Sequence, residues 1–590
     1  MAVNHPMNKA KVENGALRLM LGNEAVARGA WEAGVMVISS YPGTPSTEIT
    51  EYASAYGEID CQWAPNEKVA AEVVFGAAMA GARAMTCMKH VGVNVAADPL
   101  FTAAYTGVNG GMVVVCADDP AMHSSQNEQD SRYYAMSAHI PMLEPADSQE
   151  CKDFTRLAFQ LSEAWDTPVF IRLTTRIAHA RSPVSLGERE SYPLKPYQKD
   201  PMKYVMMPAM ARKRHLLVEE REAGLREAAD GWPDNRLEIR DREMGIVTSG
   251  ACYQYVREAL PSASVLKLGM VYPLPMRLVA EFAAGVDRLI VVEELEGLLE
   301  KEIAAAGLRV EGKEFTGVQG EQSSERVRQA LLGEEKRLAA GGNLPARPPV
   351  LCPGCPHRGV FYAIRKLNLR VMGDIGCYTL AALPPLCAMD ACLCMGASIG
   401  MAGGAERARG KVFSEGTVAV LGDSTFIHSG ITALIDAVYT RESITVVILD
   451  NRITGMTGHQ QNPASGKDIH GKEAPALCLE KLVEGCGVEH VAVVDPFDVK
   501  AVEQALRAET VRQAVSVIIA RRPCALLNRR ENKPFCVTSC KNCGSCMKLA
   551  CPAIERREKR VGINPALCVG CGMCAQVCPF GAVGEREGLE

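Results

Sequence analysis

The sequence predicts a multidomain α/β chain built on parallel sheets and closed by a small, cysteine-rich C-terminal module. Three observations carry this. Apolar, β-branched runs alternate with helical stretches from about residue 15 to residue 528, which is the pattern of βαβ units. Several of these runs end in Gly, Asp or Asn turns, the places where open α/β sheets bind ligands. Nine of the 23 cysteines fall between Cys536 and Cys578, too dense a group to be core filler.

The most informative element is Gly422 to Asn451, GDSTFIHSGITALIDAVYTRESITVVILDN. Val418 to Leu421 is strand-like and leads into Gly422-Asp423-Ser424. A helical stretch with Ile431, Leu434, Ile435 and Val438 follows, and a second strand, Ile444 to Leu449, ends at Asp450-Asn451. Magnesium prefers hard oxygen ligands and is usually shared with phosphate. Asp423 offers a carboxylate, Asn451 an amide oxygen and Ile453 a backbone carbonyl. A strand-end Asp alone is common, so the rest of the chain has to support the reading.

The N-terminal segment, residues 1–185, reads as one α/β domain. The strand Val35 to Ser40 enters the turn Tyr41-Pro42-Gly43-Thr44-Pro45-Ser46 just before a helix at Glu48, where amides and hydroxyls can hold an anion. Asn66-Glu67 opens a second helix, and Glu67 there suits the helix dipole whatever else it does. Val113 to Ala117 is a buried strand, followed by the polar loop Asp118 to Arg132; Pro168 to Leu173 closes the domain. Residues 186–243 are dense in Arg, Glu and Pro, with a helix expected over Met210 to Ala229, and read as a solvated bridging arm. Residues 244–345 repeat the α/β pattern, with strands at Gly245 to Ser249, Ser264 to Leu268 and Arg288 to Val292. The last ends in Glu293-Glu294, expected at the surface or at an interface. After a Pro-containing linker, Leu344 to Pro349, residues 346–528 carry Cys352-Pro353-Gly354-Cys355-Pro356-His357-Arg358, then Gly373-Asp374-Ile375-Gly376-Cys377, and end in the strand Val515 to Ala520 before Pro523-Cys524.

Residues 529–590 hold the most specific signal. Cys568, Cys571, Cys574 and Cys578-Pro579 have the C-x2-C-x2-C-x3-C-P spacing of a cubane ferredoxin; Cys540, Cys543, Cys546 and Cys551-Pro552 differ by one residue. In two-cluster ferredoxins the fourth cysteine of each run ligates the other cluster. Cys540, Cys543 and Cys546 therefore go with Cys578, and Cys568, Cys571 and Cys574 with Cys551. A zinc ribbon is the bland alternative, disfavoured by two triplets each followed by Cys-Pro. Cys536 is a spare.

Composition bounds the rest. At 590 residues, 47% hydrophobic and 23% charged, the chain has ample core for several domains. A net charge of −5 gives no electrostatic reason to expect nucleic acid. No apolar run approaches the roughly 18 residues of a membrane span, and MAVNHPMNKAKVENGAL has no apolar leader core. A cytoplasmic location is expected, and in that compartment so many cysteines point to metal and not to disulfides.

Together, YPGTPSTE, MKHVGVNVAADP, HSSQNEQDSR, CPGCPHRG, GDIGCYTL, GDSTFIHSG with LDN, and the cysteine tail resemble the 2-oxoacid:ferredoxin oxidoreductases. The nearest likeness is to large subunits that act on indolepyruvate and other arylpyruvates, and it covers nearly the whole chain. The resemblance implies a pyrimidine-binding domain (1–185), a bridging segment (186–243), a transketolase C-terminal-like domain (244–345), a diphosphate-binding domain (346–528) and a two-cluster 4Fe–4S ferredoxin domain (529–590). It implies thiamine diphosphate and Mg2+, with Asp423, Asn451 and the Ile453 carbonyl as metal ligands, and Ser424, Gly376 and Cys377 beside the cofactor. Glu67 matches the carboxylate that exchanges a proton with the aminopyrimidine, and Thr44 a hydroxyl near the substrate carboxylate. It further implies a proximal third 4Fe–4S cluster on Cys352, Cys355, Cys377 and Cys524, with Cys387, Cys392 and Cys394 as rivals for the fourth place. The activity implied is oxidative decarboxylation of an arylpyruvate to an aryl-acetyl-CoA with CO2 release, electrons passing to an external ferredoxin, and a smaller beta subunit as partner. Ser424 where the related decarboxylases have Gly, and Asn451 standing without a second Asn, set the chain apart from them. A preference for pyruvate or a branched-chain 2-oxoacid, a non-oxidative decarboxylase, and an electron-transfer subunit without chemistry are the other readings.

Overall fold

The computed structural model describes residues 15–334, 348–527, 533–557 and 560–585. The expected boundaries at 345/346 and 528/529, most of the linker Leu344 to Pro349, and the first fourteen residues lie outside these. The chain forms two compact units, residues 5–342 and residues 343–590. Among the described residues no helix is long and apolar enough to cross a membrane.

The first unit holds a seven-stranded sheet in the order Met270–Tyr272, Met142–Leu143, Val169–Thr174, Met112–Asp118, Ala84–Lys89, Val37–Ser40, Asp60–Trp63. All pairs are parallel except the first, where Met270 and Tyr272 run against Leu143 and Met142. Val169–Thr174, the expected closing strand of the domain, lies inside the sheet between Met142–Leu143 and Met112–Asp118. The edge strand Met270–Tyr272 comes from the segment read as the next domain, because a three-residue strand is too short to show a period. A second sheet has Arg288–Val292, Met244–Ser249 and Ser264–Leu268 in parallel, with Arg236–Glu238 antiparallel at its edge. Val114 and Phe170 of the first sheet share one apolar core with Val247, Leu266 and Val291 of the second.

The segment read as a solvated arm is tied down instead. Its helix, Pro208–Asp230, buries Val218, Arg221, Leu225 and Ala229. Arg214 donates to the carbonyls of Tyr105 (2.6 Å) and Thr106 (3.1 Å), and Arg221 to that of Ala104 (2.8 Å). These are the orphan carbonyls at the end of helix His90–Thr106, and cations belong at that pole. Glu222 accepts from Tyr272 at 3.0 Å and also meets His139, so the helix is fastened to the Met270–Tyr272 edge of the seven-stranded sheet.

Glu293 and Glu294 are buried, 2% and 4% exposed, so the expected place at the surface is corrected: they lie inside the first unit. Arg132 donates to Glu293 at 2.6 Å, and Glu293 accepts from Leu299 N and Glu300 N at the start of helix Leu298–Ala305. The polar loop before Arg132 thus feeds a buried ion-pair network, also holding Asp130, Arg172, Asp118 and Glu144, that joins the two sheets.

The second unit is built on a six-stranded, all-parallel sheet. Its order is Ala391–Cys392, Arg370–Gly373, Thr417–Gly422, Thr445–Asp450, Ser516–Arg521, His490–Val494. Alternate residues supply opposite faces, as the pleat demands. Val418, Val420, Val447 and Leu449 join one core; Ala419, Leu421, Val446 and Ile448 join the other. The tail contributes two antiparallel pairs, Phe535–Val537 with Val583–Glu585 and Ile554–Arg557 with Arg560–Ile563. They close over a small core with Leu549, Val561 and Met573 that also takes in Val499 of the sheet domain.

Candidate active site

Thr417–Gly422 and Thr445–Asp450 are neighbouring central strands, with Gly422 opposite Leu449. Asp423 and Asn451 therefore leave the same sheet edge side by side. The chain after Gly422 turns directly into a short helix, Asp423–Thr425, then a wider turn, Phe426–Gly430, then helix Ile431–Tyr439. Of the expected apolar stripe, Leu434 is buried while Ile435 is half exposed. Asp423 is fully enclosed, and burial first, then Asp450, pushes its carboxyl up to about 7. Asn462 donates to it at 3.3 Å. The Asn451 amide oxygen accepts from Ile453 N at 3.2 Å, and the Ser424 hydroxyl accepts from Thr454 at 3.0 Å.

This donor set fits a hard divalent cation. A carboxylate that buries itself at the cost of its charge is stabilised by an adjacent cation, and the amide and carbonyl oxygens beside it are hard ligands. Sequence reading missed Asp374 and Asn462. Asp374 is buried and accepts from Ile375 N (2.7 Å), Gly396 N (3.0 Å) and Ser398 N (3.3 Å), and burial pushes its carboxyl up to about 6. It locks the strand end Arg370–Gly373 to the start of helix Ala397–Arg409. The signal was present: Gly373-Asp374 repeats the Gly-Asp of Gly422-Asp423.

Gly376 turns beneath Tyr378; a Cβ there would come to 2.4 Å from the ring. Its amide donates to Thr379 at 3.1 Å. Cys377 follows at once, and Gly455 marks where it points: a Cβ on Gly455 would lie 3.5 Å from Cys377 Sγ, 3.8 Å from Asn451 Nδ2 and 3.9 Å from Ile453. Cys377, Cys355 and Cys524 are each within electrostatic reach of Cys352, and Cys377 also of Cys355 and Cys524. Cys524 N donates to Asn451 O at 3.0 Å, so the chain past the last strand returns to the same place. Burial raises the thiols, Cys355 to about 12 and Cys377 to about 11. The rivals go elsewhere: Cys392 and Cys394 face Asp374, and Cys387 is exposed.

In the tail, one cavity is lined by Cys551, Cys568, Cys571 and Cys574, and another by Cys540, Cys543, Cys546 and Cys578. Backbone amides point at three of these sulfurs: Asn542 N at Cys540 (3.2 Å), Ala582 N at Cys578 (3.3 Å) and Phe535 N at Cys568 (3.4 Å). Four cysteines ring each cavity, the ligand number of a 4Fe–4S cube. Cys536 sits in strand Phe535–Val537 and lines neither cavity.

The first unit brings together a second set. Asn66 caps helix Glu67–Met79 through Val69 N (2.9 Å). Glu67 is 5% exposed. Helix His90–Thr106 crosses it at Gly92, where a Cβ would meet Glu67 Oε1 at 2.7 Å; only glycine leaves the carboxylate its room. Thr44 is half-buried, and its carbonyl accepts from Ser124 at 3.2 Å. Lys89, missed in the sequence, runs beneath Gly43 and donates to Ser124 O at 3.0 Å. Burial holds its ammonium below the usual lysine range, although Asp119 and Glu67 pull the other way.

Comparison with known proteins agrees with this anatomy. Residues 28–228 match the family "Pyruvate flavodoxin/ferredoxin oxidoreductase, thiamine diP-bdg", 240–331 the "Indolepyruvate oxidoreductase domain", 374–520 the "Thiamine pyrophosphate enzyme, C-terminal TPP binding domain" and 561–583 the "4Fe-4S binding domain". The chain is 42% identical to indolepyruvate oxidoreductase subunit IorA of Archaeoglobus fulgidus, over 96% of this chain and 97% of that one. It is 43% identical to the same subunit of Methanothermobacter marburgensis, over 96% of each, and 40% identical to that of Pyrococcus horikoshii, over 97% of each. A solved 2-oxoglutarate:ferredoxin oxidoreductase from Magnetococcus marinus aligns with 53% of this chain and 64% of its own at 18% identity and a TM-score of 0.44, a likeness too loose to argue from. The length and evenness of the subunit matches place the chain in the thiamine diphosphate-dependent 2-oxoacid:ferredoxin oxidoreductases, in the family of the indolepyruvate oxidoreductase subunit IorA.

Proposed function

We propose that the chain oxidatively decarboxylates indolepyruvate and related arylpyruvates, gives the acyl group to coenzyme A and sends the electrons to an external ferredoxin. The observation that carries this is the convergence, at one sheet edge, of Asp423, Asn451 and Ile453 with Cys352, Cys355, Cys377 and Cys524. When bound, thiamine diphosphate supplies the electron sink that lets CO2 leave. The chain's own residues do the rest. Asp423, Asn451 and the Ile453 carbonyl hold Mg2+ against the diphosphate, with Ser424 and Gly376 lining that pocket. Glu67 exchanges a proton with the aminopyrimidine, its carboxylate held in place by Gly92. Thr44 hydrogen-bonds the substrate carboxylate. Cys352, Cys355, Cys377 and Cys524 hold a proximal 4Fe–4S cluster, and the eight tail cysteines hold two more, one on each cavity.

The domain roles follow the same lines: pyrimidine binding in 1–185, a bridge in 186–243, a transketolase C-terminal-like domain in 244–345, diphosphate binding in 346–528 and electron transfer in 529–590. The names of its relatives are subunit names, so a smaller beta subunit is part of the working enzyme. The test is anaerobic ferredoxin reduction by that complex with indolepyruvate, phenylpyruvate and pyruvate, each with and without coenzyme A. Fastest reduction with the arylpyruvates, dependent on coenzyme A, is expected. Equal or faster turnover of pyruvate would shift the substrate class, and a chain that takes up no thiamine diphosphate would be an electron-transfer subunit.

A further inference from the structure

The two tail cavities differ in what surrounds them. The cavity of Cys551, Cys568, Cys571 and Cys574 is walled in part by Pro353, Gly354 and Arg358 of the cofactor domain. Gly354 has φ +67°, and a Cβ on it would fall 2.2 Å from Val569, so the loop bearing Cys352 and Cys355 lies directly on the loop bearing Cys571. Among the described residues, the cavity of Cys540, Cys543, Cys546 and Cys578 is lined by residues of the tail alone. The first cavity thus borders the cofactor domain and the second does not, so a cluster in the second would be the one from which electrons leave.

The exit has a distinct surface. Phe580 lines the cavity and is 55% exposed, beside the exposed Cys543. Lys541 lines the same rim and is exposed. Lys548 is exposed, within electrostatic reach of Cys543. Among the described residues no carboxylate pairs with either lysine. The described tail carries six cations (Lys533, Lys541, Lys548, Arg556, Arg557, Arg560) against two acids (Glu555, Glu585), in a chain whose net charge is −5. Among these described residues the one ion pair is Arg557 with Glu555.

Resting on the reading of the tail as a two-cluster module, we infer that Phe580, Lys541 and Lys548 form the docking surface for an acidic, one-electron iron–sulfur carrier protein. An exposed aromatic centre with unpaired cations at its rim suits a small transient interface. The lysines raise the encounter rate with an acidic partner and give the contact its salt dependence. The step is a transfer of one electron from a reduced cluster on Cys540, Cys543, Cys546 and Cys578 to the oxidised carrier; no bond is made or broken.

The test uses the complete enzyme with its clusters. Binding of an oxidised, acidic bacterial ferredoxin is measured by calorimetry at low and high salt, without substrate. Lys541→Glu with Lys548→Glu raises its Kd by about tenfold or more at low salt and flattens the salt dependence. Phe580→Ala raises Kd at both salt levels. Iron per chain, and reduction of a small uncharged nitroaromatic acceptor by indolepyruvate, stay at the wild-type level. An unchanged Kd in both variants would overturn the proposal. So would lost iron or a moved cluster potential with unchanged Kd, which would make the lysines mere counter-charges for the cluster. Loss of the smaller subunit from the double variant would assign the patch to that chain and overturn it as well. A wild-type tail without iron would sink the two-cluster reading itself, a failure distinguishable from the others because it appears before any variant is made.

Discussion

At the scale of single residues, the site depends on carboxylates kept where water would not keep them. Asp423 is enclosed and pushed up to about 7, which is unfavourable until a cation shares the pocket. Asp423→Ala is expected to lose Mg2+ and thiamine diphosphate on gel filtration while iron per chain is unchanged, because the tail folds around its own metal. Full cofactor retention would contradict the assignment. Glu67→Gln should bind cofactor but lose about 10²–10⁴ in turnover, since an amide cannot take and return a proton. Gly92→Ala should reproduce much of that loss without touching the chemistry, because its Cβ would claim the space of Glu67 Oε1 at 2.7 Å. If Gly92→Ala were fully active, the crowding at Gly92 would not be what positions Glu67. That Asp423 and Asn451 leave neighbouring strand ends was readable in the sequence, because a Gly-Asp at one strand end and an Asn at the next form a local pattern. Lys89 and Asn462 were not, since nothing in their neighbourhoods says which distant loop they will meet.

At the scale of elements, one buried arginine couples tail to sheet. Arg358 is 1% exposed and donates only to carbonyls: Cys352 (3.1 Å) and Leu351 on its own loop, Leu549 (2.9 Å) and Ala550 on the tail. Arg358→Met removes all four bonds and leaves those carbonyls unpaired, at a cost of about 2–4 kcal/mol. It should keep its tail iron yet reduce those clusters more slowly with substrate, read by stopped-flow bleaching of the cluster absorbance. Unchanged rates would mean the tail docks without it. In the first unit, Glu294 is pushed up to about 7, first by burial, against the pull of the Gln322 amide and Arg172. The native chain then holds this proton more tightly than the unfolded chain does. The stability it contributes is present in full below about pH 4.5 and is lost as pH rises toward 7. Glu294→Gln should flatten the fall in Tm between pH 5 and 8, worth ~1–3 kcal/mol; parallel Tm curves would exclude this group. Strands of five or six apolar residues were legible nearly to the residue, Ser264–Leu268 and Arg288–Val292 among them. The arm Pro208–Asp230 keeps much of its polar surface in water, but Arg214 and Arg221 go to another helix's carbonyls, and composition does not record which polar residues do so.

At the scale of the whole molecule, chemistry and electron transfer are read as consecutive stages of one chain. In the second unit the cofactor edge, the four cysteines around Cys377, the cavity against Arg358 and the cavity beside Phe580 follow one another in space. The cysteine spacing foretold which four cysteines ring each tail cavity, since a C-x2-C-x2-C run leaves its fourth ligand to the other run. It did not foretell which cavity faces the cofactor domain, because that depends on the packing of Gly354 on Val569. The account stands most directly on cluster reduction by substrate. The anaerobic enzyme, with its smaller subunit, is mixed with indolepyruvate, with and without added thiamine diphosphate and Mg2+, frozen, and examined by electron paramagnetic resonance. The account predicts reduced 4Fe–4S signals that appear only when 2-oxoacid, thiamine diphosphate and Mg2+ are all present, and that vanish in Asp423→Ala. Indolepyruvate consumed while every cluster stays oxidised, or clusters reduced just as well without the cofactor, would contradict it.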